Sequence, residues 1–466
     1  MKIYQQKILK NLYIGIIINC KRKSWDVIEI DKIVIYICKV LSMIMKALGG
    51  GSSLPGKIAL KIRPGILKSA AKGYRIIMVT GTNGKTTTSA LITGILENAG
   101  IKVISNTSGA NMIDGIVTCF INNYKKANWA VIECDEAYTR IVNRYVKPEY
   151  MVITNVFRDQ LDRFGEVANT WGKIKDAISI SPKTKLVVNG DLPLFSKIDA
   201  ENPIYYFGFS EGFAKMGEDT DTEFCPVCEE RLRYRYITVK NLGEYYCPGC
   251  GFERPKIDFT LEKMENLTTE SSEITVCGIK INLSVAGIYN MYNALSAFAV
   301  TSLAGVSHAL IKAGIEKQQR CFGRDEIIDV GGNKLRMSLI KNPTGCDLVI
   351  DTITLSKEKC NLLVVLNDNW GDGTDVSWVW DAHFERLTAM DTEKIIIGGK
   401  RRFDMAIRLI TAGFPEEKFI LCENDDEMIE AVKNSGVRVF ALCTYTGMMN
   451  LRKTLYLKGF AKEMWK

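Results

Sequence analysis

Histidine is nearly missing from this chain of 466 residues: His308 and His383 are the only two. A nucleophilic cysteine needs a base beside it, and none of the fourteen cysteines stands in a recognisable nucleophile setting. His308 lies in GVSHALIKAG, a helical pattern that suits packing or a surface position. Strong charge is also lacking. A net +8 over this length permits contact with acidic ligands or an anionic membrane surface, and by itself points to no nucleic acid. No apolar run is long enough to cross a bilayer. NLYIGIIINC is short, lacks a small-residue cleavage site and runs into Lys21-Arg22-Lys23, and IVIYICKVLSMIM (33–45) is interrupted by Lys39. The cysteines, among them Cys119, Cys134 and Cys360 in apolar segments, are too few for a disulfide scaffold of this size. These absences predict a protein of a reducing cytoplasm. Internal repeats and low-complexity tracts are absent as well.

What is present is a globular composition, 47% hydrophobic and 24% charged, long enough for two or three domains. Residues 74–89 read YRIIMVTGTNGKTTTS, an apolar β-type run followed by a glycine-bearing loop and a helix-compatible stretch. The strict P-loop pattern places a glycine where Val79 stands. The physics survives that mismatch. Gly81 and Gly84 let the backbone of Thr82, Asn83 and Thr87 present N–H groups to phosphate at a helix N-terminus. Lys85 reaches terminal phosphates as a point charge, and Thr86 offers its hydroxyl to Mg²⁺. The plainer alternative is an ordinary glycine-rich strand-to-helix turn.

From there to about residue 190, β-type runs (IIMV, IKVIS, WAVIECDE, YMVITNV, KLVVNGD) alternate with helical ones, which predicts an α/β fold with a mostly parallel sheet. The alternation restarts after Arg324 with CNLLVVLND, KIIIGG and RVFALCTY. The expected division is an N-terminal extension over 1–48, a central nucleotide-binding unit over 49–325 and a smaller α/β unit over 326–466. GGGSSLPG (49–56) reads as a linker. The cationic and apolar first 48 residues allow three readings: an amphipathic helix on a membrane face, a helix packed on the main unit, or a start assigned too early, with Met43 or Met45 nearer the true one.

Inside the central unit, CPVCEERLRYRYITVKNLGEYYCPGC (within 224–256) pairs Cys225 with Cys228 and Cys247 with Cys250. Two CxxC turns at this spacing close a tetrahedral four-thiolate site of the kind Zn²⁺ accepts, with no open position and so a structural role. Arg231, Arg233 and Arg235 between tyrosines leave nucleic-acid binding open, and a rigid clip on an enzyme is the blander reading. VIECDEAYTR supplies Glu133, Asp135 and Glu136 at a strand end, and TNVFRDQLDRFGE supplies Asn155, Asp159 and Asp162 at the next. Two successive strands ending in acids after a phosphate loop favour a shared metal–phosphate crevice.

GTNGKTTT, VIECDE, TNVFRDQLDRFGE, YNMYNALSA and FGRDE, in that order, resemble the Mur ligases, which use ATP to activate a carboxylate and join an amine to it. The four-cysteine insert and LNDNWGDGTDVSWVWDAHFE are similar to one branch of that family, the ligase-like MurT subunits of lipid II isoglutaminyl synthases. The resemblance covers residue 50 to the C-terminus. Gln160 stands where the wider family has histidine, HNxxNA appears as Tyr289-Asn290-Met291-Tyr292-Asn293-Ala294, and only about 25 residues separate the linker from the loop, where a nucleotide-sugar domain is usual. The resemblance implies ATP-dependent amidation of the D-glutamate α-carboxylate of lipid II to D-isoglutamine, through an acyl phosphate, in peptidoglycan biosynthesis. It implies that Lys85, Thr86 and Glu133 serve the γ-phosphoryl group and Mg²⁺, that Asn293 and Asn290 contact adenine, and that Arg324 contacts the phosphates. Ammonia would come from a glutaminase partner, GatD, whose Cys–His pair Asp375 completes; by the residues alone, Asp375 equally well caps a helix beginning at Val376 or Ser377. Rival readings are a Mur-type ligase adding an amino acid and a zinc-ribbon nucleic-acid-binding ATPase.

Overall fold

A computed structural model describes residues 27–47, 53–106, 110–157, 167–210, 224–318 and 325–462. Two sheets organise it. The first has nine strands: β1 (Arg75–Thr80), β2 (Val103–Ser105), β3 (Trp129–Glu133), β4 (Tyr150–Ile153), β5 (Lys185–Asn189), β6 (Ile204–Phe209), β9 (Phe259–Glu265), β10 (Ser272–Val276) and β11 (Ile279–Leu283). Their order is β11-β10-β9-β6-β5-β4-β1-β3-β2. All pairings from β2 to β9 are parallel, and β9-β10-β11 close the edge antiparallel. The central strands are apolar on both faces, as a sheet covered by helices on both sides demands. β1 lies between β3 and β4, so the chain reverses its direction of travel across the sheet at the strand that carries the glycine loop. Such a switch point opens a crevice beyond the carboxyl ends of the strands.

Between β6 and β9, β7 (Arg233–Val239) and β8 (Leu242–Tyr246) form an antiparallel hairpin of their own. The second sheet orders β12 (Glu326–Val330), β13 (Asn333–Leu339), β14 (Cys360–Val365), β15 (Thr392–Gly398), β16 (Phe419–Leu421) and β17 (Arg438–Cys443) as β12-β13-β17-β14-β15-β16. Apart from the β12–β13 hairpin its pairings are parallel, with a buried core on each face.

Helix Val27–Ala47 packs on the first unit. Val34, Ile35 and Cys38 are buried in its core, and Asp31 accepts from Arg63 Nε (2.7 Å) and Ser69 Oγ (2.5 Å). The linker expected over 49–56 is corrected at its far end: a helix already runs from Leu54 to Ile62. Pro55 suits a first turn, whose N–H groups lack helical acceptors anyway. Gly56 is buried where a Cβ would come 1.9 Å from the Asp114 carbonyl oxygen, so this glycine serves close helix packing rather than freedom.

Candidate active site at the phosphate loop

β1 is buried from Ile76 to Thr80 as it delivers the chain to the loop, and the loop is then clamped from two sides. Gly81 has φ +124° and Gly84 has φ +85°, both in the region that favours glycine. A side chain at 81 would lie 2.3 Å from Thr154 Oγ1, and one at 84 would lie 2.2 Å from Asn293 Oδ1. The exit of β4 holds the loop's backbone. Thr82 N donates to Asn155 O (2.9 Å), Asn83 N to Asn155 Oδ1 (2.9 Å), and Thr154 Oγ1 to Asn83 O (2.8 Å). Asn155, expected in a metal crevice, is therefore an anchor of the loop.

Helix Lys85–Asn98 starts at once, with Gly84 as its left-handed N-cap. Its first-turn N–H groups have no acceptor inside the helix and face the cleft with a partial positive charge. Lys85 Nζ folds inward, donating to Gly81 O (2.5 Å) and pairing with Glu136 (3.2 Å). Thr86 Oγ1 donates to Glu133 Oε2 (2.8 Å), and Asn111 Nδ2 holds Oε1 of the same carboxylate (3.0 Å). Asn83 Nδ2 is buried without a hydrogen-bond partner. The set fits a nucleotide with its metal. A tight glycine cradle bars side chains, one amide has an unused donor, and a hydroxyl and a carboxylate form a pair of hard oxygen ligands.

The cleft above, about 440 Å³, is lined by loop residues 82–87 with Glu133, Asn290 and Asn293 on one side, and by Lys341, Trp370 and Tyr445 of the second unit on the other. Asn293 Oδ1 accepts from Thr88 Oγ1 (3.3 Å), and Asn290 Nδ2 donates to Ala286 O (2.7 Å), so both are held on helix Ile288–Leu303 beside the loop. The structure thus gathers Gly81, Thr82, Asn83, Gly84, Lys85, Thr86, Thr87, Glu133, Asn290 and Asn293 around one crevice. Arg324, Asp159, Gln160 and Asp162 lie outside the described residues. Asp375 is not part of this cleft. It is exposed in the second unit, where its Oδ1 accepts from Ser377 N (2.8 Å) and opens the 3₁₀ turn Ser377–Trp380.

Three buried carboxylates were not named as site residues from the sequence, Asp325 among them although it sits in FGRDE. Asp325, at the start of the second unit with φ +58°, receives Tyr289 Oη, Ser338 Oγ (2.8 Å) and Arg336 Nη2 (2.9 Å). Burial pushes its acidity the other way, but Arg336 with those hydroxyls outweighs it and holds the carboxyl below its ordinary range. Asp191 is buried beneath the four-cysteine insert, bonded to Arg254 (2.8 Å), Tyr292 Oη (2.7 Å) and Phe209 N (2.9 Å); burial pushes its carboxyl up to about 6. Asp347 takes Lys240 Nζ (2.8 Å) from the β7–β8 turn and His383 Nδ1 (2.9 Å). Only sequence position hid them, since each draws partners from distant stretches. Cys346 sits next to Asp347 in sequence, yet it is buried in the second unit's core and burial drives its thiol well above the usual value. A thiol held protonated is no nucleophile.

The four insert cysteines converge with all Sγ atoms within 4.8 Å of one another, among them Cys225–Cys250 at 3.5 Å and Cys228–Cys247 at 3.4 Å. Each CxxC turn is closed by its own backbone: Glu229 N to Cys225 O (2.9 Å) and Gly251 N to Cys247 O (3.2 Å). That donor set and separation fit one tetrahedral metal ion. The arginine–tyrosine interleaving has a plain cause. β7 alternates, with Tyr234 turned into the insert's small core beside Tyr245 and Phe252, while Arg233 and Arg235 face out. Arg235 is paired with Glu244 (2.7 Å), and Lys240 clips the hairpin to the second unit.

Family models match two parts of the chain: Mur ligase middle domain over residues 79–245 and MurT ligase C-terminal over 339–448. The chain is 42% identical over 427 residues, 90% of its length and 96% of the relative's, to the Streptococcus pneumoniae protein named lipid II isoglutaminyl synthase (glutamine-hydrolyzing) subunit MurT. The chain belongs to the MurT family. The Staphylococcus aureus MurT of the same designation is 35% identical over 80% of this chain and 86% of its own. A pseudomurein peptide ligase type C from Methanothermus fervidus shares the fold, with TM-score 0.64 at 20% identity over 84% of this chain and 80% of its own. MurT relatives are thus named as subunits, and the α/β Mur ligase fold expected from the sequence is the one observed. Among the described residues no helix is long and apolar enough to cross a membrane.

Proposed function

We propose that this chain is the ligase subunit of a glutamine-hydrolysing lipid II isoglutaminyl synthase. The observation that carries the reading is identity of 42% across nearly the whole of a MurT relative, with the second unit included. ATP would bind with its phosphates on the first turn of helix Lys85–Asn98 and its adenine toward Asn290 and Asn293, with Arg324 a further phosphate contact. Lys85 would exchange its contacts with Gly81 O and Glu136 for the β- and γ-phosphates, a short swing for a flexible stem. Thr86 and Glu133 would hold Mg²⁺, which supplies charge neutralisation on the transferred group. The D-glutamate α-carboxylate oxygen attacks the γ-phosphorus and ADP leaves. Ammonia then attacks the acyl carbon and phosphate leaves, giving the carboxamide of D-isoglutamine. The chain's task is positioning and electrostatics, and no side chain need act as a nucleophile.

The ammonia would come from a glutamine amidotransferase partner, the GatD of the resemblance, with Asp375 lent to the partner's Cys–His pair. Support is that Asp375 is exposed, with its Oδ1 accepting from Ser377 N at the start of the 3₁₀ turn. The four cysteines would hold a structural Zn²⁺, with all four positions filled by the chain. The test is mass spectrometry of lipid II after incubation with this protein, Mg-ATP and ammonium, then with partner and glutamine. Conversion of one carboxyl to a carboxamide, lost in Lys85→Ala, is expected. No conversion in either condition by a protein that binds ATP would overturn the reading.

A further inference from the structure

Helix Val27–Ala47 is apolar on two faces. Asp31, Val34, Ile35, Cys38 and Ser42 are buried against the first unit. On the opposite side Tyr36, Val40, Met43 and Ile44, at spacings of four, three and one, are 56%, 57%, 66% and 52% exposed. A helix resting on a water-facing surface normally turns charged residues outward, and among the described residues Val40, Met43 and Ile44 of this stripe stand exposed. Charge is distributed to match. The first 75 residues carry fifteen Lys and Arg against three Asp and Glu, a net +12, which leaves the remaining chain at −4 within the total of +8. Of those three acids, Asp31 is buried and engaged by Arg63 and Ser69. Lys57, Lys61 and Lys68 are exposed on the two short helices that pack against the stripe-bearing helix, and Lys72 is exposed in the turn that follows them. Tyr124, with Lys125 over its ring (5.5 Å), meets Tyr36 edge-on at 6.2 Å.

We infer that this outer face lies on an anionic lipid surface, the stripe entering the headgroup region and the surrounding lysines meeting lipid charge. An apolar stripe on a strongly cationic segment is what interfacial binding requires, and neither component suffices alone. Nucleic acid would use the lysines but leave Tyr36, Val40, Met43 and Ile44 in water. The inference rests in part on the amidation reading, because a lipid-linked substrate places the reaction at a membrane.

The experiment is sedimentation of the full chain with vesicles of phosphatidylcholine, with and without phosphatidylglycerol, at low and high salt. The wild type should bind the anionic vesicles and release them as salt rises. Val40→Glu/Met43→Glu/Ile44→Glu should bind on the order of tenfold more weakly, with unchanged melting and unchanged amidation of a short-tailed, water-soluble lipid II analogue. Its amidation of vesicle-embedded lipid II should fall. The inference is overturned if the wild type ignores anionic vesicles or the triple variant binds them equally well. It is also overturned if removal of residues 1–26 strengthens binding, which would mean that this segment covers the stripe. Tight RNA binding in place of vesicle binding would overturn it too. Loss of amidation on both substrates by a wild type that binds vesicles would count against the amidation reading while supporting this one.

Discussion

Replacing Gly84 by alanine adds one methyl group where the loop meets Asn293. Two costs arise. The backbone there has φ +85°, where a residue with a Cβ is disfavoured by about 1–2 kcal/mol. The new Cβ would also lie 2.2 Å from Asn293 Oδ1, against ordinary contact at 3.4–4 Å. Asn293 must retreat by roughly 1 Å in an interior that is close-packed. Doing so strains its contacts with Thr88 Oγ1 (3.3 Å) and Asn290 Oδ1 (3.4 Å), each worth about 0.5–1.5 kcal/mol. The sum is about 2–5 kcal/mol, read as a melting temperature lower by roughly 5–10 °C. A loop shifted by about 1 Å misplaces phosphate relative to Lys85, Thr86 and Glu133 and should lower amidation about a hundredfold. Gly100→Ala isolates the first cost, since Gly100 has φ +76° and nothing within 4 Å of the added atom. It should melt slightly lower and turn over normally. Wild-type melting and turnover in Gly84→Ala would refute the clamp.

Cys250→Ser should lose bound zinc, measured by elemental analysis, and become open to proteolysis within the insert, because three thiolates leave the tetrahedral set incomplete. Arg254→Met strands the buried Asp191 and should cost about 3–5 kcal/mol at neutral pH. In the wild type burial holds the Asp191 carboxyl at about 6, above its unfolded value, while Arg254 pulls it down. Without Arg254 the carboxyl rises further, so the native variant is protonated to higher pH; that stability is full in acid and lost as pH rises, and urea unfolding should show a smaller deficit at pH 5 than at pH 7.5. An equal deficit at both would contradict it. Asp375→Asn should leave ammonium-driven amidation intact and abolish glutamine-driven amidation with the partner. Gly172→Ala, on the helix Val167–Ile180 with open space around the added atom, should stabilise by about 0.5–1 kcal/mol in thermal unfolding.

The β/α alternation, the glycine loop and the cysteine pairs were legible because each is local: a strand, a turn and a CxxC knuckle are written within a few residues. The family resemblance pairs Thr86 and Glu133 at the metal, and the structure brings them to 2.8 Å. What stayed hidden depends on partners far apart in the chain. Glu136 lies 51 residues from Lys85, and Tyr292 lies 101 from Asp191; no spacing rule connects them. The segment 49–56 misled because Pro and Gly mark turns on average, while here they open a helix and let it press against another. The arginines between tyrosines suggested a ligand surface, yet strand pleating alone accounts for the pattern.

Among the described residues the chain crosses from the first sheet to the second once, just before β12. At that crossing Asp325 grips both sides, Tyr289 and Asn290 behind it and Arg336 and Ser338 ahead. A carboxylate so placed is a rivet between the two units, and it is not alone: Arg336 and Arg438 reach Thr269 and Glu270 at the β9–β10 turn, and Lys240 reaches Asp347. The two walls of the crevice are therefore fastened at several points, with Asn290 held directly by the rivet on one of them.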